Sequence, residues 1–232
     1  NGTVNVLKHG ITLQKGEIID ATFMNVGALR AFLRKQVEES KDLGVLFSFH
    51  VKATMMKVAD PIIFGHAVSV FFEDFFTKNE KILRKLEVNP NNGLGELETK
   101  IDTLPDNQAE KLRADLNSTL NSCPDLFMVN SDKGITNLHV SSDVIIDASM
   151  PALIRAGGKA WGRNGKQCDV KCVIPDSSYA PIYEETINFC KDNGAFKPAE
   201  MGTISNVGLM AQKAQEYGSH PQTFESFDDG TI

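Results

Sequence analysis

Cysteine is scarce in this sequence. Its 232 residues include only four, and that number is too small for the disulfide framework of a compact secreted domain. Two of them are separated by three residues, but no second Cys or His pair stands at zinc-site spacing, so no structural zinc is predicted. The sequence favours free, buried thiols in a reducing compartment at all four positions, Cys123, Cys168, Cys172 and Cys190.

An excess of positive charge is also lacking. The chain carries 24 Lys and Arg against 30 Asp and Glu, which gives a formal net charge of −6. This balance argues against a general nucleic-acid binder, which needs a cationic face to displace counterions. The best candidate for a long apolar run, residues 62–76, is broken by His66, Glu73 and Asp74 and is too short for a membrane helix. We therefore expect neither nucleic acid nor a membrane as a partner.

The first residues contain neither a basic leader nor an apolar stretch, so no signal peptide is predicted. They also lack an initiator Met, and we expect the chain to be cut from a longer protein.

Common nucleotide-binding motifs are missing as well. Gly93 and Gly95 begin a Gly-x-Gly pair, but Glu98 stands where a dinucleotide-binding loop needs its third Gly. Residues 157–162 have the spacing of a phosphate loop, yet Arg163 and an Asn follow in place of Lys and Ser or Thr. Any cofactor is therefore expected to be held in another way, or by other parts of the protein.

What the sequence does contain is an alternation of apolar strands with amphipathic helices. Residues 25–39 repeat apolar side chains near the helical period, and residues 45–51 form an apolar run typical of a buried strand. This alternation predicts an α/β fold with a layered sheet and flanking helices. Further helices are predicted at 60–75, 106–120, 179–192 and 206–217, a helical turn at 150–156, a glycine-rich loop at 157–165, and strands at 3–7, 127–129, 136–140, 143–146, 169–174 and 223–227.

No shift in composition marks a domain boundary. We predict a single α/β domain over residues 1–232. Within it, the polar stretch 89–122 is a candidate peripheral insertion.

Lys52 is the first of three positions whose side chains suit chemistry. It directly follows the apolar run at 45–51, and ligand sites in open α/β sheets lie at the carboxyl ends of strands. Its ammonium group could bind an anionic substrate. The alternative is a solvated lysine that merely flanks a strand.

Asp147 is the second position. It follows the apolar run at 143–146, and a carboxylate at the end of a strand suits a hard divalent cation. The alternative is an N-cap for a helix that begins near Met150 and Pro151, a position for which Ser149 is an equally good candidate.

Tyr217 is the third position. It stands in the last turn of the helix predicted at 206–217, with Gly218 as the C-cap. Its hydroxyl could donate a proton to a substrate. The alternative is a tyrosine half-buried at a helix end.

Three long blocks of sequence surround these positions and together resemble one family, the monomeric type of NADP-dependent isocitrate dehydrogenase. The resemblance extends over nearly the whole chain and implies a partial α/β domain like that of isocitrate and isopropylmalate dehydrogenases, from the middle of the enzyme's large domain. The blocks are LFSFHVKATMMKV at 46–58, DASMPA at 147–152, and NVGLMAQKA with EYGSH at 206–214 and 216–220.

The resemblance implies a role for each candidate. The family oxidises isocitrate with NADP and Mg²⁺ or Mn²⁺ to 2-oxoglutarate and carbon dioxide, as a bacterial enzyme of the cytoplasm. Lys52 and Tyr217 match its critical lysine and tyrosine, and Asp147 matches a metal-binding aspartate. Lys52 would assist deprotonation of the substrate hydroxyl, and Tyr217 would return a proton to carbon after carbon dioxide leaves. The NADP-binding residues of the family are absent from this chain.

The family's enzymes are much longer, and their other substrate and metal residues have no match here. We therefore expect no dehydrogenase activity from the chain alone, the remaining segments of the parent enzyme as its partners, and self-association through apolar surface. The alternative function is a non-catalytic α/β binding or scaffolding module that keeps the fold only. An independent small-molecule-binding α/β protein is a further alternative, disfavoured by the missing nucleotide motifs.

Overall fold

The structure, a computed structural model, divides the chain into two compact units. One unit combines Asn1–Met24 with Lys197–Ile232, and the other, called here the main unit, is Asn25–Phe196. The helix predicted at 206–217 and the strand predicted at 223–227 lie outside the described residues, as does most of the strand predicted at 3–7. The structure describes residues 6, 9–10, 12–13, 15–16, 24–52, 59–176 and 179–200.

Helices dominate the main unit, and its described strands are few and short. The helices are α1 (Val26–Leu43), α2 (Ala59–Phe71), α3 (Glu73–Lys78), α4 (Glu80–Lys85), α5 (Gly93–Ile101), α6 (Asp106–Ser122), α7 (Ile146–Arg155) and α8 (Ala180–Asn193). The strands are β1 (Leu46–Phe49), β2 (Met128–Asn130), β3 (Ile135–Thr136), β4 (Lys159–Trp161) and β5 (Gln167–Val173). Short 3₁₀ turns occupy Pro90–Asn92, Ser141–Val144 and, in the other unit, Pro198–Glu200.

Helix α1 shows how local sequence sets these boundaries. Asn25 caps its start, because the Asn25 side chain accepts a hydrogen bond of 2.9 Å from the backbone N–H of Ala28. Gly44 ends it in the left-handed conformation, with φ of 65°. The helix predicted from the apolar period is confirmed and extends one turn beyond the predicted end.

The sheet places β5 between the other two strands, in the order β1-β5-β4. Strands β1 and β5 are parallel, in register from Leu46 opposite Val170 to Phe49 opposite Val173. Strand β4 is antiparallel to β5 and occupies part of the stretch predicted as a loop at 157–165. A parallel pair joined through intervening helices confirms the α/β class, because such a crossover needs a long connection.

A phenylalanine-rich core holds the main unit together. The ring centroids of Phe47 and Phe71 lie 5.5 Å apart, and those of Phe71 and Phe72 lie 4.9 Å apart, both within the range of favourable aromatic pairs. Strand β1 thus packs directly on α2. The fully buried phenylalanines are Phe47, Phe49, Phe64, Phe71, Phe72 and Phe75.

The polar stretch 89–122 contributes to this same core. Leu97 of α5 and Leu112 of α6 are buried in it. Gly93, with φ of 78°, lets α5 begin against residues 138 and 139, since a Cβ there would come within 2.2 Å of the His139 carbonyl oxygen. Both helices thus bury apolar side chains in the core. The assignment of 89–122 as a peripheral insertion stays a prediction. The extent of one domain over residues 1–232 stays a prediction.

The described helices lack the length and apolar character of a membrane span, since none of them is both long enough and apolar enough to cross a bilayer.

Candidate functional site

The two faces of β1 differ in chemistry, although both are buried. Phe47 and Phe49 point into the phenylalanine-rich core, and Val51 continues that face beyond the strand. Alternate residues of an extended chain point in opposite directions, so Ser48, His50 and Lys52 belong to the other face. Ser48 and His50 are completely buried, and Lys52 is 4% exposed. The carboxyl end of β1 therefore carries a polar set of side chains inside the protein.

Helix α7 begins directly beside this end of β1. Val51 donates a backbone hydrogen bond of 3.1 Å to the carbonyl of Val144, and the N–H of Ile146 donates one of 3.0 Å to the carbonyl of Val51. These bonds form an isolated parallel bridge between Val51 and Ile145. The strand predicted at 143–146 is thus reduced to this bridge, because a 3₁₀ turn precedes it and α7 follows at once.

The early start of α7 excludes the alternative that Asp147 is the N-cap of this helix. Ile145 occupies the N-cap position, and no side chain in the described part of the chain caps the helix there. Asp147 and Ser149 lie inside the helix, so neither is the N-cap. The helical turn predicted at 150–156 is confirmed and begins four residues earlier than predicted.

Lys52 and Asp147 form an ion pair between the end of β1 and the first turn of α7. The Lys52 Nζ donates a hydrogen bond to Asp147 Oδ2. The lysine side chain is only 5% exposed, whereas that of Asp147 is 44% exposed. The alternative of a solvated lysine is therefore wrong. The ammonium is buried, and the carboxylate faces both the ammonium and the solvent.

His50, for which the sequence pattern predicted no role, lies at the centre of a buried hydrogen-bond chain. Its Nε2 is 2.7 Å from Ser48 Oγ, and its Nδ1 is 2.7 Å from Ser149 Oγ. Ser48 Oγ also accepts a bond of 3.2 Å from Asn137 Nδ2. These hydrogen bonds connect β1 with α7, which they reach at Ser149, two residues after Asp147. The strict alternation of Phe and Val with Ser, His and Lys over 47–52 is the sequence signal that could have found this hydrogen-bond chain.

The donor and acceptor of each bond in this hydrogen-bond chain can be assigned. Ser149 Oγ donates to the Ile145 carbonyl at 3.0 Å, so it accepts from His50 Nδ1–H. His50 Nε2 then accepts from the Ser48 hydroxyl, which in turn accepts from Asn137. This assignment of the tautomer rests on the hydrogen-bond partners. It gives a neutral imidazole that links strand to helix through both ring nitrogens.

Burial enforces the neutral state of this histidine. Desolvation lowers the pKa of His50 from the ordinary 6.5 to about 3. Tyr183 of α8 lies nearby and donates a hydrogen bond of 3.1 Å to the carbonyl of Ile146, and burial raises the pKa of its phenol. Neither side chain is therefore charged at neutral pH.

The described side chains at this end of β1 could supply only part of a divalent-metal site. Within residues 24–52, 59–176 and 179–200 and the few described earlier positions, no group of three or more His, Cys, Asp or Glu side chains could hold a metal ion. At this end of β1, in the part of the chain that the structure describes, Asp147 offers the kind of oxygen that Mg²⁺ and Mn²⁺ prefer. Mg²⁺ is usually bound by one or two carboxylates with water and substrate. The residues present thus fit one part of a shared metal site. Tyr217 lies outside the described residues.

Comparison with known proteins extends over the entire chain. The family model of monomeric isocitrate dehydrogenase matches residues 1–232. The chain is 52% identical to an isocitrate dehydrogenase [NADP] of Azotobacter vinelandii over all its 232 residues, which are 31% of that protein. It is 52% identical to isocitrate dehydrogenase [NADP] 2 of Mycobacterium tuberculosis over 99% of the chain and 31% of that protein. Identity to an isocitrate dehydrogenase [NADP] of Corynebacterium efficiens is 54% over 100% of the chain and 32% of that protein.

The chain spans about a third of the length of these curated relatives. On the match over its full length, it belongs to the monomeric isocitrate dehydrogenase family.

Proposed function

We propose that this chain supplies one part of the active site of an NADP-dependent isocitrate dehydrogenase that converts isocitrate to 2-oxoglutarate and carbon dioxide. The observation that carries the proposal is the buried Lys52 ammonium paired with the half-exposed Asp147 carboxylate at the carboxyl end of β1. Relatives named isocitrate dehydrogenase [NADP] support it, since they match every part of the chain at 50% to 54% identity. The site residues proposed are Lys52, Asp147 and Tyr217.

Asp147 is the proposed ligand for Mg²⁺ or Mn²⁺. When bound, the metal supplies Lewis-acid chemistry, polarising the oxygens of the substrate and stabilising negative charge. The exposed fraction of Asp147 leaves the carboxylate accessible to a cation and to further ligands. These would come from the substrate, water and segments of the enzyme beyond this chain.

Lys52 is the proposed group at the substrate hydroxyl. Its Nζ is fixed at the end of a buried strand, so it would face an anionic substrate with little solvent between them. There it would bind the substrate and assist removal of the hydroxyl proton. Tyr217 Oη would deliver a proton to the carbon that loses carbon dioxide. The assignment of these two roles follows the family pattern.

The rest of the enzyme is the proposed partner of this chain. NADP is expected to be bound by other segments, since no residue here is assigned to it. Within the described part of the chain, α8 buries none of its residues and exposes Ile182 and Phe189, at 58% and 46%. Such apolar surface suits packing against further segments or, in the isolated chain, self-association. A cytoplasmic location is part of the same proposal.

The proposal is tested by Lys52→Met in the full-length protein that contains this chain. With isocitrate, NADP and Mn²⁺, we expect NADPH formation by the unaltered protein and a loss of about 10²–10⁴-fold in kcat for the variant. Lys171→Met is the matched control, because Lys171, on β5, is likewise paired with a carboxylate, Glu39, but is only partly buried. It should retain the rate. Unchanged activity in Lys52→Met would remove the proposed role of this lysine.

A second measurement compares the isolated chain with the full-length protein. The 232-residue chain alone should form no NADPH, because its described residues include no group of three or more side chains that could hold the metal. Activity of the isolated chain would contradict the proposal that the site is shared with other segments. An inactive full-length protein would instead favour the non-catalytic binding or scaffolding module.

A further inference from the structure

The first turn of α7 is weaker than an ordinary helix start at the position where Asp147 lies. Pro151 stands inside the helix and has no N–H with which to bond the carbonyl of Asp147, four residues earlier. No described side chain caps the helix at Ile145. The backbone alone therefore holds the Asp147 turn less firmly than usual, and side chains must supply the remaining constraint.

The His50 chain supplies a constraint at this turn. One imidazole nitrogen bonds β1 through Ser48, and the other bonds α7 through Ser149, each at 2.7 Å. Ser149 in turn bonds the carbonyl of Ile145 at 3.0 Å, so the contact reaches the residue before the helix. The backbone of His50 is itself fixed, since its N–H donates to the Val173 carbonyl of β5 at 2.9 Å. The helix turn is thus tied to the sheet on both sides of Asp147.

We propose that His50 is a positioning residue that holds the Asp147 carboxylate against Lys52, acting through Ser149 on the first turn of α7. This inference rests on the proposed function, because it assigns a role only if Asp147 serves the metal. Residues that orient a metal ligand from behind it change metal affinity or activity by about 10–100-fold when they are altered. A histidine that merely filled space would give no such effect.

The apolar face of the same strand argues against simple space filling. At the alternate positions β1 carries Phe47 and Phe49, whose side chains are buried without the desolvation of a polar group. A fully buried imidazole must be bonded at both nitrogens to offset its desolvation, and here it is. With both ring nitrogens bonded, the imidazole favours one arrangement of strand and helix.

Ser149→Ala in the full-length protein is the main test. It removes the bond to His50 with a minimal change in volume. Ser40→Ala is the matched control, because Ser40 is a buried helix serine whose Oγ also donates to the carbonyl four residues earlier, Gln36, at 2.8 Å, without a histidine. Free Mn²⁺ measured by electron paramagnetic resonance gives the metal Kd without turnover, and steady-state kinetics give kcat and KM.

The expected result is a Mn²⁺ Kd about 10-fold or more higher in Ser149→Ala, with a lower kcat, at a thermal midpoint equal to that of Ser40→Ala. The same Kd and kcat in both variants would overturn the inference. Activity of the unaltered protein with isocitrate is measured in the same series. Its absence would instead overturn the proposed function, so the two failures are distinguishable.

Two substitutions of His50 sharpen the test. His50→Asn places an amide N–H near the former Nδ1 and can still donate to Ser149, whereas His50→Gln reaches only toward Ser48. We expect His50→Asn to keep the Mn²⁺ Kd closer to that of the unaltered protein than His50→Gln does. Equal Kd values for the two variants, or the reverse order, would contradict a positioning role exerted through Ser149.

Discussion

The two faces of β1 show how one short strand serves stability and chemistry at once. Phe47 and Phe49 pack among the phenylalanines of α2, where burial of large apolar surface stabilises the fold. On the opposite face, Ser48 and His50 are equally buried but form hydrogen bonds, and Lys52 follows with an ion pair. Burial alone therefore does not distinguish core from site. The distinction lies in what each buried side chain must bond.

The difference also predicts how each face responds to change. Removing a ring from the apolar face loses packing and should lower the free energy of unfolding strongly. Removing a side chain from the polar face loses hydrogen bonds that position the site, so it should change the free energy of unfolding less and the activity more. Three measurements on the 232-residue chain test this contrast.

Phe49→Ala carries the largest expected effect. Phe49 is completely buried, with its ring centroid 6.4 Å from that of Phe64. Removing the ring loses apolar burial and leaves a cavity, so the free energy of unfolding should fall by about 3–5 kcal/mol in urea denaturation. Phe189→Ala is the control, since Phe189 on α8 is 46% exposed and should change stability far less. Equal losses in both would mean that α8 is buried as deeply as β1.

The pH dependence of stability is expected to report His50. Its pKa is lowered to about 3 in the fold, so between pH 6.5 and 3 the unfolded chain binds a proton that the folded chain does not. The free energy of unfolding should therefore fall as pH falls through this window, by up to ~1.4 kcal/mol per pH unit from this group alone. Above pH 6.5 the contribution is constant.

Carboxylates add to the same trend. The pKa of Glu73 is lowered mainly by its hydrogen bond from Arg34, and that of Asp115 mainly by its hydrogen bond from Lys78, so both also lose stabilisation in acid. The comparison that isolates the histidine is the slope of the unaltered chain against that of His50→Asn, followed by urea denaturation from pH 7 to 4. Identical slopes would show that the folded histidine takes up its proton as readily as the unfolded one, so that burial does not lower its pKa.

Much of this architecture could be predicted from residue patterns. The apolar period of 25–39 and the apolar run at 45–51 act locally, and the structure has the helix and strand that they predict. The position of Lys52 at a strand's carboxyl end follows from the same local signals. Its contact with Asp147 joins residues 95 positions apart, and local pattern predicts each position but not that the two meet.

Other features depend on tertiary contacts. Apolar residues fill 144–146 of the strand predicted at 143–146, yet Ile145 only forms a bridge with Val51 before α7 begins. The buried role of His50 needs Ser149, from another element, and the choice of tautomer needs the Ile145 carbonyl. The core position of α5 and α6 was obscured by their polar outer faces. In each case the missing information was which surface a segment packs against.

Lys52→Met carries the smallest expected effect on folding. Met keeps the length of the side chain and removes a buried charge, while Asp147 retains solvent at its half-exposed carboxylate. The free energy of unfolding should change by less than ~1 kcal/mol, because removing a buried ammonium offsets the loss of its ion pair. Urea denaturation beside Lys171→Met and Phe49→Ala gives the comparison. A loss as large as that of Phe49→Ala would mean that Lys52 stabilises the fold as the rings do, and the functional contrast between the two faces of β1 would fail.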